Sequence, residues 1–128
     1  MSVAFEDFLK SAENLLNKDS EEIDFRNLIS RSYYALFHLA KEKSDCLPVP
    51  VSDEEYKKLG SHEKIFIKFS RHPNRAIKQQ GEMMFKAKDL RRKADYYIDE
   101  HIVRNEAVEH LFAIRGLIQK LQQLKVNP

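Results

Sequence analysis

The chain has 128 residues, a net charge of +2, a charged fraction of 33%, three Gly, four Pro and one Cys. That length suits one domain, residues 1–128, large enough to bury a core without staples. The near-neutral balance makes no demand for a polyanion partner, the lone Cys46 excludes an internal disulfide, and no apolar stretch nears the ~20 residues of a bilayer span.

Scarce Gly and Pro with abundant charge favour long helices with solvated outer faces. Glu6 and Asp7 interrupt the amino terminus, so no signal peptide is expected. With one cysteine, the expected setting is a reducing cytoplasm.

In chain order, Phe5, Phe8, Leu9, Ala12, Leu15 and Leu16 recur at three- and four-residue spacing and predict a helix from Val3 to Asn17. A second helix is expected from Glu22 to Lys43, striped by Phe25, Leu28, Ile29, Ser32, Leu36, Leu39 and Ala40, with Tyr33 and Phe37 widening the stripe. Around Arg31 to Ala40 apolar and aromatic side chains occupy nearly every angle, which predicts a central, buried helix. Ser44 to Gly60 is the longest break, with Pro48 and Pro50 opposing helix and Ser52 able to cap a short turn. Ser61 is expected to cap a helix that stops before Pro73. The next helix is expected from Gly81 to Asp99, and the last from Glu106 to Leu124 with Asn105 as its cap. No second strand could pair with Ile65-Phe66-Ile67. The fold class is therefore all-α, an up-and-down bundle of four to five helices.

Glycine-rich phosphate loops, CxxC, HExxH, EF-hand and GxSxG patterns are absent, and the five histidines lack metal-site spacing. No cofactor and no metal are expected. Arginine–histidine pairs carry the sharpest signal. Arg31 and His38, seven apart, return to within about 20° on one helix face. They either serve a site or hold the bundle, with Asp95 the expected partner of a buried Arg31. Arg104 and His110 flank the start of the last helix, some 120° apart on an ideal helix, with Arg104 expected off the helix and free to reach back. Free N–H groups at a helix start favour phosphate, arginine contacts it bidentately, and histidine can move a proton. The bland alternative is a capping Asn105 beside two surface side chains. A basic run of Lys86, Lys88, Arg91, Arg92 and Lys93, preceded by Arg71, His72, Arg75 and Lys78, either contacts an RNA backbone or is a solvated face. Asp45 beside Cys46 opposes a reactive thiolate.

Arg31-Ser32-Tyr33-Tyr34-Ala35-Leu36-Phe37-His38, Ser61-His62, and Leu90-Arg91-Arg92-Lys93-Ala94-Asp95-Tyr96, in that order, resemble the HEPN domain superfamily over about Ala12 to Lys120. The resemblance implies a small helical bundle that forms a homodimer. It also implies, in many members, a metal-independent endoribonuclease of toxin–antitoxin or defence type, paired with a nucleotidyltransferase-fold antitoxin. The family's signature is Arg, a polar residue such as Asn, then His after four to six positions. Arg104, Asn105 and His110 fit it best and are the expected catalytic set on an RNA substrate, with Arg31 and His38 second. In one toxin branch a tyrosine follows the histidine, but Phe112 stands at that place here. Members that lack an intact pair imply the alternative, a silent module that binds a nucleotide or docks on the nucleotidyltransferase.

Overall fold

The computed structural model describes residues 3–124 and contains six helices, with no strand among them. These are α1 (Phe5–Glu13), α2 (Glu22–Ser44), α3 (Asp53–Lys57), α4 (Ser61–Ser70), α5 (Arg75–Tyr96) and α6 (Arg104–Gln123). The all-helical bundle is the class that the periodicity predicts, with α3 as an added short turn.

Helix α2 is the hub and packs against α1, α4, α5 and α6. Its stripe is buried as the spacing requires, from Phe25, Leu28 and Ile29 through Ser32, Tyr33 and Leu36 to Leu39 and Ala40. Two apolar clusters result. The larger gathers Tyr33, Leu36, Phe66, Phe69, Met84, Ile114, Leu117 and Leu121 from α2, α4, α5 and α6. The smaller joins Ala12, Phe25, Leu28, Ile29, Ala94, Ile102, Ala107 and Leu111. Each fully buried Leu, Ile or Phe in them contributes about 1.5–3 kcal/mol.

Several boundaries differ from the sequence expectation, each for a local reason. Helix α5 starts six residues before Gly81, because Asn74 Oδ1 accepts from Ile77 N–H at 3.1 Å and caps it there. Gly81 lies inside α5 for a different purpose: a Cβ there would sit 2.1 Å from the Ser70 nitrogen, so the bare backbone lets α5 cross the end of α4. Gly60, not Ser61, holds the cap position of α4, and no side chain caps that helix. Helix α6 begins at Arg104 with Val103 as its cap residue. The Glu106 carboxylate supplies the capping by accepting from Val103 N–H at 3.2 Å. Asn105 is therefore an exposed residue of the first turn rather than the cap, and Arg104 is on the helix rather than before it.

The most constrained ion in the bundle is Arg26. It is 6% exposed and sits one heptad before Tyr33 on the same α2 face. Its guanidinium donates to the carbonyls of Lys93 (3.2 Å), Ala94 (3.0 Å), Tyr97 (3.3 Å) and Glu100, and pairs with Glu22 at 3.0 Å. It thus places a cation on the Lys93 and Ala94 carbonyls of the last turn of α5 and on two carbonyls of the loop that follows, the charge that a helix carboxyl end favours. Helix α5 ends at Tyr96 rather than Asp99, where Tyr97 leaves the helical conformation.

Candidate anion-binding site

Among the described residues no hydrogen bond joins the arginine to the histidine in either of the two pairs singled out by spacing. Arg104 donates to the Asn17 carbonyl at 2.8 Å and lies over the Phe25 ring, 5.2 Å from its centroid. His110 is 6% exposed, beneath α2, where Nε2 stands 3.2 Å from the Ile29 carbonyl oxygen. Burial pushes its pKa down to about 4, opposed in part by that hydrogen bond. These contacts hold the two side chains on different groups of α2 and its preceding loop. His110 instead lines a groove of about 360 Å³ between α5 and α6, walled mainly by Met83, Ala87, Leu90, Ile114 and Leu117.

Arg31 and His38 do share a face, but that face is solvent-exposed, not central. Arg31 donates to Ser11 Oγ at 2.7 Å and does not pair with Asp95. Asp95 belongs to Arg91, whose Nε lies 2.8 Å from Asp95 Oδ2, and also accepts from Ser30 Oγ at 3.3 Å. His38 leans on Phe8, with ring centroids 5.1 Å apart.

The basic run divides by helix face. Lys93 pairs with Glu106 at 3.2 Å, Lys86 reaches the α5–α6 groove, and Arg71 meets Glu55 at 3.4 Å. Lys88, Arg91 and Arg92 turn the other way and converge on a concavity of about 370 Å³ at the start of α4. Gly60, Ser61, His62, Glu63 and Tyr96 complete its wall. Among these lining side chains, three cations (Lys88, Arg91, Arg92) face one anion (Glu63), a balance of +2. Glu63 sits 3.8 Å from Lys88 Nζ. The uncapped amides of α4's first turn add the positive end of a helix dipole.

Aromatic rings hold this cluster in place. The Arg91 guanidinium lies 5.7, 5.3 and 5.5 Å from the centroids of Tyr33, Tyr34 and Tyr96, and donates to Tyr34 Oη at 2.7 Å. Cation–ring contact and the Asp95 pair fix a side chain that would otherwise be free to move. His62 stacks on Phe37, with centroids 4.1 Å apart, and its Nδ1 stands 2.5 Å from Tyr33 Oη. Burial, then the charges of Arg91, Lys88 and His38, push its pKa below the ordinary histidine value. Desolvation raises that of the Tyr33 phenol, so the hydroxyl stays protonated.

Arranged this way, the pocket offers convergent donors to a ligand that carries acceptors only. A phosphate is the common group with that character. Among the described residues no cluster of three or more His, Cys, Asp or Glu could hold a metal ion, and no helix is long and apolar enough to cross a membrane. Comparison with protein-family models, with curated proteins and with solved structures returned no match.

Sequence reasoning passed over His62 as a site residue and Arg26 as an anchor. Arg26 was readable, since it continues the Tyr33–Phe37–Ala40 stripe one heptad upstream and follows Glu22 by four. His62 stands in one of the stretches behind the resemblance, but no spacing marks it as a site residue, because its partners Tyr33 and Arg91 lie 29 residues away on either side.

Proposed function

We propose that this chain is a HEPN-like module that binds a phosphate group, carried by a nucleotide or an RNA strand, at the start of α4. One observation carries the reading: Lys88, Arg91 and Arg92 surround the uncapped first turn of α4 in a single concavity beside His62. Exposed Tyr96 on the rim adds a ring on which a base can stack. The partners implied by the resemblance fit the same reading. A second copy would find an apolar seam at Val108 and Phe112, exposed one turn apart on α6. A nucleotidyltransferase-fold protein would supply or remove the nucleotide, in the cytoplasm.

Calorimetric titration of the full chain with adenosine 5′-monophosphate and with a short unstructured oligoribonucleotide tests the proposal. Binding of either, weakened about tenfold or more by Lys88→Gln with Arg92→Gln, is the expected result, since a hydrogen bond to a charged group is worth about 1.5–3 kcal/mol. Binding that ignores the double substitution overturns it.

Metal-independent cleavage of RNA is a second reading, favoured by Arg91 and His62 sharing one pocket wall. These are the residue types that such chemistry needs, here on two helices instead of one. Cleavage in EDTA that is lost in His62→Ala and kept in His110→Gln would establish it.

A further inference from the structure

The Tyr33–His62 contact fixes where the imidazole proton resides. Tyr33 is wholly buried, and its Oη lies 2.5 Å from His62 Nδ1. Two arrangements satisfy that distance. Either the phenol donates to a bare Nδ1, or Nδ1–H donates to the phenol oxygen and the phenol proton must find another acceptor. Among the described residues, Tyr33 Oη makes no other hydrogen bond. Its neighbours are the rings of Tyr34, Phe37 and Phe66, together with the Arg91 guanidinium, which accepts nothing. A stranded donor in that setting carries a full desolvation penalty. The phenol therefore donates, Nδ1 is bare, and the neutral ring carries its proton on Nε2.

We infer that Tyr33 locks His62 as the Nε2–H tautomer, so that His62 presents the pocket with an uncharged donor selecting an unprotonated anionic oxygen. Nε2 has no hydrogen-bond partner among the described residues, and His62 lines the concavity. The inference rests on the phosphate reading for its ligand and deepens it by assigning His62 and Tyr33. His62 touches the ligand, and Tyr33 is a positioning residue that acts through it.

Charged and titratable groups approach His62 from three helices, and the cations among them reinforce the arrangement. Tyr33 and His38 face it from α2, Glu63 follows it on α4, and Lys88, Arg91 and Arg92 approach from α5. A second ring proton would place Nδ1–H against the Tyr33 hydroxyl, forcing that hydroxyl to turn its proton away into apolar surroundings. The cations of α5 oppose the same protonation. A ring held in this tautomer cannot remove a proton from a hydroxyl through Nε2. Through Nε2 it can only offer a hydrogen bond to a phosphate oxygen, because releasing that proton from the neutral ring would leave an imidazolate.

Long-range ¹H–¹⁵N spectra of the full chain labelled at histidine test this directly. At neutral pH the His62 signals should show Nε2 protonated and Nδ1 bare. Tyr33→Phe should convert them to a tautomer mixture and raise the midpoint of the His62 titration. A role for Tyr33 in packing alone predicts neither change. For adenosine 5′-monophosphate and the oligoribonucleotide, His62→Ala should weaken binding about tenfold, the scale of one hydrogen bond to a charged acceptor. His62→Gln, whose amide N–H can replace Nε2–H, should recover most of that loss. A proton on Nδ1 of the unaltered chain overturns the inference. The expected tautomer without binding of either probe overturns the phosphate reading, and with it the donor role of His62.

Discussion

The Arg26 guanidinium donates to the Ala94 carbonyl at 3.0 Å, joining the start of α2 to the end of α5 across 68 positions of sequence. Three further carbonyls share the same side chain. Arg26→Ala removes the cation and leaves the buried Ala94 carbonyl without its side-chain donor, while the Lys93 and Tyr97 carbonyls keep backbone N–H donors from Tyr97 and Glu100. The expected loss is about 3 kcal/mol, the scale for breaking a buried charged network. Arg26→Lys should recover only part of it, because an ammonium cannot spread donors over a fork. Urea unfolding of the three proteins checks the order.

Gly81 gives a second, purely steric prediction. Helix propensity alone makes Gly81→Ala favourable by about 1 kcal/mol. The new methyl, however, would meet backbone atoms of Ser70 and Phe69 at 2.1–2.6 Å, and backbone cannot rotate aside. Overpacking should win, giving a net destabilisation of about 2 kcal/mol that thermal unfolding would register. Gly116→Ala has no neighbour within 4 Å to displease and should stabilise slightly in the same assay.

His110 makes stability depend on pH in a defined direction. Its pKa is lowered from 6.5 to about 4 by burial, so between those values the unfolded chain binds more protons than the folded one. Stability contributed by the neutral ring is intact above about pH 6.5 and is lost as pH falls toward 4. The full effect is about 3 kcal/mol at 1.36 kcal/mol per unit. Urea unfolding at pH 7 and pH 4.5 should show a steeper acid loss for the unaltered chain than for His110→Gln, which has nothing to titrate. Equal losses would show that His110 is hydrated in solution.

Helix identity was legible wherever apolar spacing repeated, as in α2 and α6, because burial of one stripe is a local pattern. The starts of α5 and α6 were not, since capping turned on which side chain reached back: Asn74 for α5, and Glu106 rather than Asn105 for α6. Gly81 misled for a similar reason. A glycine reads as a break, yet here it serves a helix crossing that only the folded chain brings about. The site was the least visible part. Spacing finds groups on one helix, so it found Arg31 with His38 and Arg104 with His110. His62 and Arg91 meet through the packing of α4 on α5, with Tyr33 beneath them on α2, a relationship that no linear period encodes.

Salt dependence separates the α4 pocket from Arg104, the arginine that the family resemblance favours. A phosphate contact made by a lysine or arginine on an RNA strand releases condensed counterions and adds about 0.7 to the slope of log K against log salt. Lys88→Gln with Arg92→Gln should therefore weaken oligoribonucleotide binding and flatten its slope by about 1.4, the sum of two such contacts. Arg104→Gln should leave slope and affinity unchanged, because its guanidinium is committed to the Asn17 carbonyl and the Phe25 ring, away from the residues that line the pocket. Loss of binding in Arg104→Gln alone, with the Lys88 and Arg92 variant intact, would move the site to the start of α6. Fluorescence anisotropy across 50 to 200 mM salt, roughly the range over which such slopes are read, distinguishes the two outcomes.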